Sequence, residues 1–247
     1  MTHQFENKTA LITGGSRGLG AELVRQFARS GARTWFTFSK DDASANALVA
    51  ELHDRDVTAI QADVAHYGKA HEVVREIVAR TGRLDHLVCN AGFSRSGAIW
   101  KTTEEDWDAV VSVVLKGAFN YLSAAAPQFM LQKYGKVVFI GSINGLRGRI
   151  GSIGYNAAKA GLTGLAKTAA AELGAYGVNV NVVAPGFIET ASQANTPELI
   201  RDIVIKECAI KRLGQPEDVA NVVLFLCDDS ARHVTGQIVK VDAGQYL

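Results

Sequence analysis

The sequence predicts an α/β fold: one doubly wound, seven-stranded parallel sheet with helices on both faces, spanning residues 1–247 as a single domain. Three observations predict it. Short apolar, β-branched runs alternate with longer helical patterns along the whole chain. A glycine-rich turn follows the first run. No stretch rich in Pro, Ser or charge marks a linker, and prolines number only four.

The elements follow in order. Residues 9–13 read as the first strand and 18–30 as the first helix. Strand 33–38 precedes helix 43–54, and strand 57–62 precedes helix 68–81. Strand 84–89 is followed by a long helix over 104–132. Strand 136–140 leads to helix 154–176, strand 178–184 to helix 216–227, and 237–241 ends the set. Most runs are almost continuously hydrophobic, as strands covered on both faces must be. Connections this long join parallel strands by right-handed crossovers. Residues 186–212 interrupt the alternation; an excursion of that length predicts a lid or binding loop.

Composition sets outer limits. The 247 residues are 47% hydrophobic and 21% charged, enough for a sizeable core. Lys+Arg number 26 and Asp+Glu 25, a net charge of +1, which argues against a partner held by phosphate neutralisation, so no nucleic acid is expected. No run approaches the roughly 18 apolar residues of a membrane span. Residues 1–9 lack the apolar core of a secretory signal. Cys89, Cys208 and Cys227 form no CxxC pair. They predict reduced thiols and a cytoplasmic protein, with no disulfide frame and no zinc site. None of the histidines at 3, 53, 66, 71, 86 and 233 sits in a motif; surface and strand-end positions are expected.

The first turn reads Thr13-Gly14-Gly15-Ser16-Arg17-Gly18-Leu19-Gly20 and opens a helix. Glycine lets the backbone turn sharply and approach a pyrophosphate, which the helix N-terminus favours. A nicotinamide cofactor with a free 2′-hydroxyl usually meets an acid at the end of the second strand. Here that end reads Thr37-Phe38-Ser39-Lys40. Ser39, Lys40 and Arg17 suit a 2′-phosphate, so NADPH is expected over NADH. The plainer reading of Lys40 and Arg17 is solvated surface charge.

Tyr155 and Lys159 stand four apart on one predicted helix, and so share a face. A phenol, with a pKa of about 10, is a usable acid at neutral pH. A nearby ammonium stabilises the phenolate and lowers that pKa. Tyr155 would protonate a ketone oxygen as hydride reaches carbon, or take the alcohol proton in reverse. Ser142 follows the strand over 136–140, at the strand end where ligand crevices form. Its hydroxyl can hydrogen-bond the carbonyl oxygen and the developing alkoxide. A serine-hydrolase reading lacks the Gly-x-Ser-x-Gly elbow around Ser142.

Taken together, these stretches resemble the classical short-chain dehydrogenase/reductases over nearly the whole chain. The residues that carry the resemblance are Thr13–Gly20, Asp63-Val64, Asn90-Ala91-Gly92, Ser142 with Tyr155 and Lys159, Pro185-Gly186 with Thr190, and Gly214 with Pro216-Glu217-Asp218. Residues 179–190, NVNVVAPGFIET, resemble the 3-oxoacyl-thioester reductases most. The resemblance implies a Rossmann-type domain. It places Asp63 and Val64 against the adenine, Asn90 near the adenosine ribose, Ile188 and Thr190 at the nicotinamide carboxamide, and Lys159 on the nicotinamide ribose. It also implies a homotetramer. The small residues of helix 154–176 would allow such packing, or equally a tight intrachain neighbour.

Two positions depart from the pattern. The family usually has Asn where this chain has Val114, in a helix distortion whose backbone carbonyl holds a water linked to the active-site lysine. Three readings compete: a slower but working relay, a different relay using Ser112, or a subunit with little activity. Valine favours regular backbone, so the first is expected, and Val114→Asn should then raise turnover several-fold. Ala243 stands where relatives carry glycine, tolerable unless the backbone needs a positive φ.

The expected substrate walls are Phe93–Trp100, 143–149 and the lid, with Phe93, Ile143, Leu146 and Phe187 as principal contacts and Ile99, Trp100 and Ile150 beside them. Ile99 is also read as a core residue. This apolar set fits an acyl or aromatic ketone. Arg95, Arg147 and Arg149 are read either as a rim for a phosphate-bearing thioester or as solvated charges. Relatives that use acyl carrier protein carry two basic positions; Lys133 keeps one and Tyr176 replaces the other, with Ala171 nearby also neutral. The neutral positions weaken the carrier-protein reading relative to coenzyme A thioesters or free ketones. The expected activity is NADPH-dependent reduction of a ketone, foremost a 3-oxoacyl thioester linked to acyl carrier protein or coenzyme A, or a related polyketide-like or cyclic ketone. The competing readings are an NAD-dependent alcohol or sugar dehydrogenase, and a cofactor-binding structural or sensor subunit of low turnover.

Overall fold

The computed structural model describes residues 4–247, with Ser192 described by its backbone; His3 lies outside the described residues. Seven parallel strands form one sheet in the order β3-β2-β1-β4-β5-β6-β7. They are β1 Thr9–Thr13, β2 Arg33–Phe38, β3 Val57–Gln61, β4 His86–Cys89, β5 Gly135–Ile140, β6 Val178–Pro185 and β7 Ile238–Val241. β1 and β6 are buried along their whole length, and the two asparagines that interrupt the apolar run of β6, Asn179 and Asn181, donate to backbone carbonyls of the segment before β7.

The helices are α1 Gly18–Arg29, α2 Asp42–Glu51, α3 Tyr67–Thr81, α4 Glu104–Val111, α5 Gly117–Gln132, α6 Asn144–Arg147, α7 Ile153–Leu173, α8 Glu198–Glu207 and α9 Pro216–Cys227. One face of the sheet packs on α3, α5 and α7 through Val73, Tyr121, Phe129 and Leu162. The other packs on α1, α2 and α9 through Leu23, Phe27, Leu48 and Val223. A three-layer doubly wound fold results. α6 and α8 had no counterpart in the sequence reading. α8 lies inside the predicted excursion; half of its ten residues are apolar, but only Val204 is buried, with Leu199 and Ile203 exposed.

Glu104–Gln132 is long and apolar enough, by length and composition alone, to cross a membrane. Half of its apolar window is buried inside the fold, against α3 and the sheet. It is interrupted by a π turn, Ser112–Lys116. Valine at 114 therefore does not restore regular helix, contrary to the sequence expectation. Packing explains the difference. A Cβ on Gly117 would stand 2.8 Å from Val64 Cγ2, and one on Gly161 would stand 2.7 Å from Leu115 Cδ2. Close approach at both glycines holds the turn without the missing amide.

His86 opens β4, fully buried against the rings of Phe5 (4.8 Å) and Phe27 (5.7 Å). Neither ring nitrogen has a hydrogen-bond partner among the described residues. Burial pushes its pKa down to about 3. The folded pKa lies below the unfolded value of about 6.5, so the unfolded chain takes up the proton first as pH falls. His86 should cost about 1.4 kcal/mol of stability per pH unit between roughly 6.5 and 3. Urea unfolding at pH 7 and pH 5 should show parent losing about 2 kcal/mol more than His86→Phe between the two. Equal losses would contradict a neutral buried imidazole.

Candidate active site

The strand order reverses between β1 and β4, the place where such sheets open a ligand crevice. Thr13 ends β1, and its Oγ1 accepts from the Asn90 N–H (3.0 Å) and the Ala91 N–H (3.1 Å). Asn90 Nδ2 donates to the carbonyls of Thr13 (3.1 Å) and Gly14 (3.0 Å). The glycine turn and the Asn90-Ala91-Gly92 turn are thus tied across the switch point. Gly14 has φ +66°, and a Cβ there would stand 2.9 Å from Ala91 Cα. Gly20 allows α1 to start against the turn, since its Cβ would fall 2.1 Å from the Gly14 carbonyl oxygen.

The residues fit a dinucleotide on two counts. α1 begins at Gly18 with no acidic residue in its first turn and no side chain capping it, so its N–H groups face outward beside Ser16 and Leu19. Gly18 turns at φ +56°, and a Cβ there would sit 3.6 Å from Thr190 across the crevice. Ser39 and Lys40 are exposed beyond β2. Arg17 is exposed and lies 3.8 Å from Asp41, an acid that the sequence reading passed over. Asp41 caps α2 by accepting from the Ser44 N–H (3.0 Å), and that bond holds its carboxyl below the usual range. Asp63 is exposed, while Val64 is buried and its carbonyl accepts from Asn120 Nδ2 (2.8 Å).

Ser142, Tyr155 and Lys159 converge at the carboxyl end of β5. Ser142 is buried, and its Oγ accepts from the Asn144 N–H (3.1 Å). Lys159 Nζ lies 5.5 Å from the centroid of the Tyr155 ring and donates to the Ile140 carbonyl (2.5 Å). Burial pushes Lys159 down to about 8. Burial also raises Tyr155 above its ordinary value, outweighing the opposing hydrogen bond with Ser142. The sequence reading expected the ammonium to lower the phenol; desolvation wins instead and favours the neutral phenol. Val114 sits beside this set, buried, with its Cγ2 and Lys159 Nζ 3.4 and 3.7 Å from the Cβ position of Gly92.

Pro185 ends β6, and Gly186 then turns against Asp242. Ile188 bridges Gly214, and Glu189 accepts from Arg201 of α8 (2.5 Å) and from Gln215 (2.6 Å). Of the expected substrate contacts, Phe93 is exposed and Leu146 half-buried. Phe187 packs with Val204, Cys208 and Leu213 under α8. Ile143 is only 2% exposed and offers little surface. Ile99, read as either wall or core, is 65% exposed and thus not core. With Trp100, Ile150 and Ile153 it lines a cavity of about 770 Å³ on the outer side of α7; neither Ser142 nor Tyr155 lines it. Arg95 pairs with Asp106 (2.5 Å) and Arg147 with Glu207 (3.4 Å), while Arg149 is exposed.

The family model described as enoyl-(acyl carrier protein) reductase matches residues 14–245. The chain belongs to the short-chain dehydrogenase/reductase family. It is similar to the 3-oxoacyl-acyl-carrier-protein reductase FabG of Staphylococcus epidermidis, 38% identical over 243 residues, 98% of this chain and 100% of the relative. FabG of Thermotoga maritima is 38% identical over 242 residues, covering 98% of each chain. The crystal structure of gox2181 superposes with a TM-score of 0.93 at 35% identity, over 98% of this chain and 97% of the other. The protein is therefore an oxidoreductase acting on a CH–OH/C=O group with a nicotinamide cofactor.

Proposed function

We propose that this short-chain dehydrogenase/reductase reduces a 3-oxoacyl thioester to the 3-hydroxyacyl thioester with NADPH. The observation that carries the reading is the meeting of Ser142, Tyr155 and Lys159 at one strand end, with the phenol kept protonated by burial. The names of the relatives, reductases of acyl-carrier-protein thioesters, support the substrate class.

Gly14, Ser16, Gly18, Leu19 and Gly20 would hold the pyrophosphate, with Ser39, Lys40 and Arg17 at the 2′-phosphate. Asp63, Val64, Asn90, Ala91 and Gly92 would line the adenosine side. Pro185, Gly186, Ile188 and Thr190 would line the nicotinamide side. When bound, NADPH would supply a hydride to the carbonyl carbon. Ser142 donates to the carbonyl oxygen and orients it. Tyr155 gives its phenolic proton to that oxygen, and Lys159, with a pKa of about 8, is matched to return a proton near neutral pH. Phe93, Leu146 and Phe187 would flank the acyl group, with Ile143 packed behind them and 186–212 as a lid over a single domain. The thioester is linked to coenzyme A or acyl carrier protein; of the two basic carrier positions, Lys133 keeps the charge and Tyr176 does not. Ala157, Ala160 and Gly164 leave a small-residue face of α7 exposed, which supports a homotetramer. Three buried thiols fit a cytoplasmic enzyme.

The test is NADPH oxidation against 3-oxoacyl thioesters, cyclic ketones and aromatic ketones. Steady turnover should be highest on the thioesters. NADPH binding without turnover of any ketone would favour a binding subunit instead. The intact π turn sharpens the reading at Val114: Val114→Asn should change turnover by less than about twofold, because no hydrogen bond is restored. A several-fold gain would show that the relay is impaired after all.

A further inference from the structure

The chain's last residues form a turn built against the loop that follows β6. The Asp242 carboxylate accepts from the Gly244 N–H (3.0 Å) and the Tyr246 N–H (3.0 Å). The backbone reverses between these bonds through Ala243 at φ +55° and Gly244 at φ +72°. The sequence expectation was that alanine is tolerable unless the φ is positive; it is positive, and Ala243 sits in strained left-handed backbone. Its methyl packs on Val204, Cys208 and Leu213 beneath α8. Ile210 N–H donates to the Ala243 carbonyl (3.0 Å), so the same turn holds the segment after α8.

This geometry aims Gln245 inward, where it is 9% exposed. Its Oε1 accepts from the Phe187 N–H (3.3 Å) and its Nε2 donates to Glu207 Oε2 (2.9 Å). Glu207 is the last residue of α8 and also faces Arg147, on the helix that follows Ser142. A Cβ on Gly186 would stand 2.9 Å from Gln245 Oε1, so the amide lies directly on the Pro185-Gly186 turn. One side chain therefore touches the loop that leads to Ile188 and Thr190, the end of α8, and through Glu207 the segment after Ser142.

We propose that Gln245 is a positioning residue: its amide clamps the Phe187 peptide to the C-terminal end of α8, fixing the 187–190 loop for the cofactor. The functional part of this inference rests on the reductase reading above; the clamp itself does not. Either carboxamide or carboxylate can accept from Phe187, but a donor and an acceptor must face each other between 245 and 207. Gln245→Glu sets two carboxylates together and breaks the clamp. Adding Glu207→Gln reverses donor and acceptor at unchanged net charge and restores it.

The experiment is amide hydrogen exchange at pH 7 on the full chain without cofactor, followed at Phe187, with tryptic cleavage after Lys206 and Lys211 alongside. Loss of one hydrogen bond should speed Phe187 exchange by roughly five- to tenfold in Gln245→Leu and Gln245→Glu. The double variant Gln245→Glu/Glu207→Gln should return to within about twofold of parent, a recovery that loss of packing would not show. Unchanged exchange in Gln245→Leu, or a double variant no better protected than Gln245→Glu, would overturn the clamp. On a turned-over thioester, Gln245→Leu should raise KM for NADPH about fivefold with kcat within twofold. Unchanged KM with faster exchange would overturn the cofactor role, and absence of turnover in the parent would sink the reductase reading while leaving the clamp standing.

Discussion

Tyr155→Phe should lose reduction by a factor of about 10² to 10⁴ while still binding NADPH. The change deletes one oxygen. It leaves the ring in place beside Lys159, whose ammonium lies 5.5 Å from its centroid. It also leaves Ser142 Oγ accepting from the Asn144 N–H. Burial keeps the parent phenol protonated, so what disappears is an acid already carrying its proton. Steady-state reduction, with NADPH affinity measured by fluorescence titration, separates the two effects. Retention of more than a tenth of parental activity would remove Tyr155 from the role of acid.

Lys40→Ala should raise the NADPH dissociation constant at least about tenfold and leave NADH nearly unchanged, since a charge-assisted bond to phosphate is worth about 1.5–3 kcal/mol. Ser39 and Lys40 are exposed past β2, while Arg17 shares its charge with Asp41 at 3.8 Å. Lys40 is therefore the freer cation. Parallel titrations with both cofactors decide the matter. Equal weakening of both, or tighter NADH binding in the parent, would refute the NADPH assignment.

Most of the fold was legible because the buried strands announce themselves. β1, β2 and the first helix start where apolar run and glycine turn place them. That Ser142, Tyr155 and Lys159 come together was legible in strand-end position, in four-residue helical spacing and in the resemblance to the family's motifs. What escaped depends on contacts between distant residues. The π turn at Ser112–Lys116 is set by Val64 and Leu115 meeting glycines, not by the residue at 114. Gln245 is polar near a chain end, a common surface pattern, until the Asp242 turn swings it under α8. Asp41 could have been read from its place at a helix start three residues before Ser44. The pKa of Tyr155 escaped because burial is a tertiary property.

The central claim is that this chain delivers hydride from NADPH to a 3-oxoacyl carbon while Tyr155 supplies the proton. The most direct measurement is mass spectrometry of the acyl product formed from 3-oxoacyl thioesters of coenzyme A and of acyl carrier protein with NADPH carrying deuterium at both nicotinamide C4 positions. Parent enzyme should yield a 3-hydroxyacyl thioester with one deuterium bound to C3, and Tyr155→Phe should yield almost none. A product without deuterium at C3, or no product from the folded, NADPH-binding parent, would contradict the account.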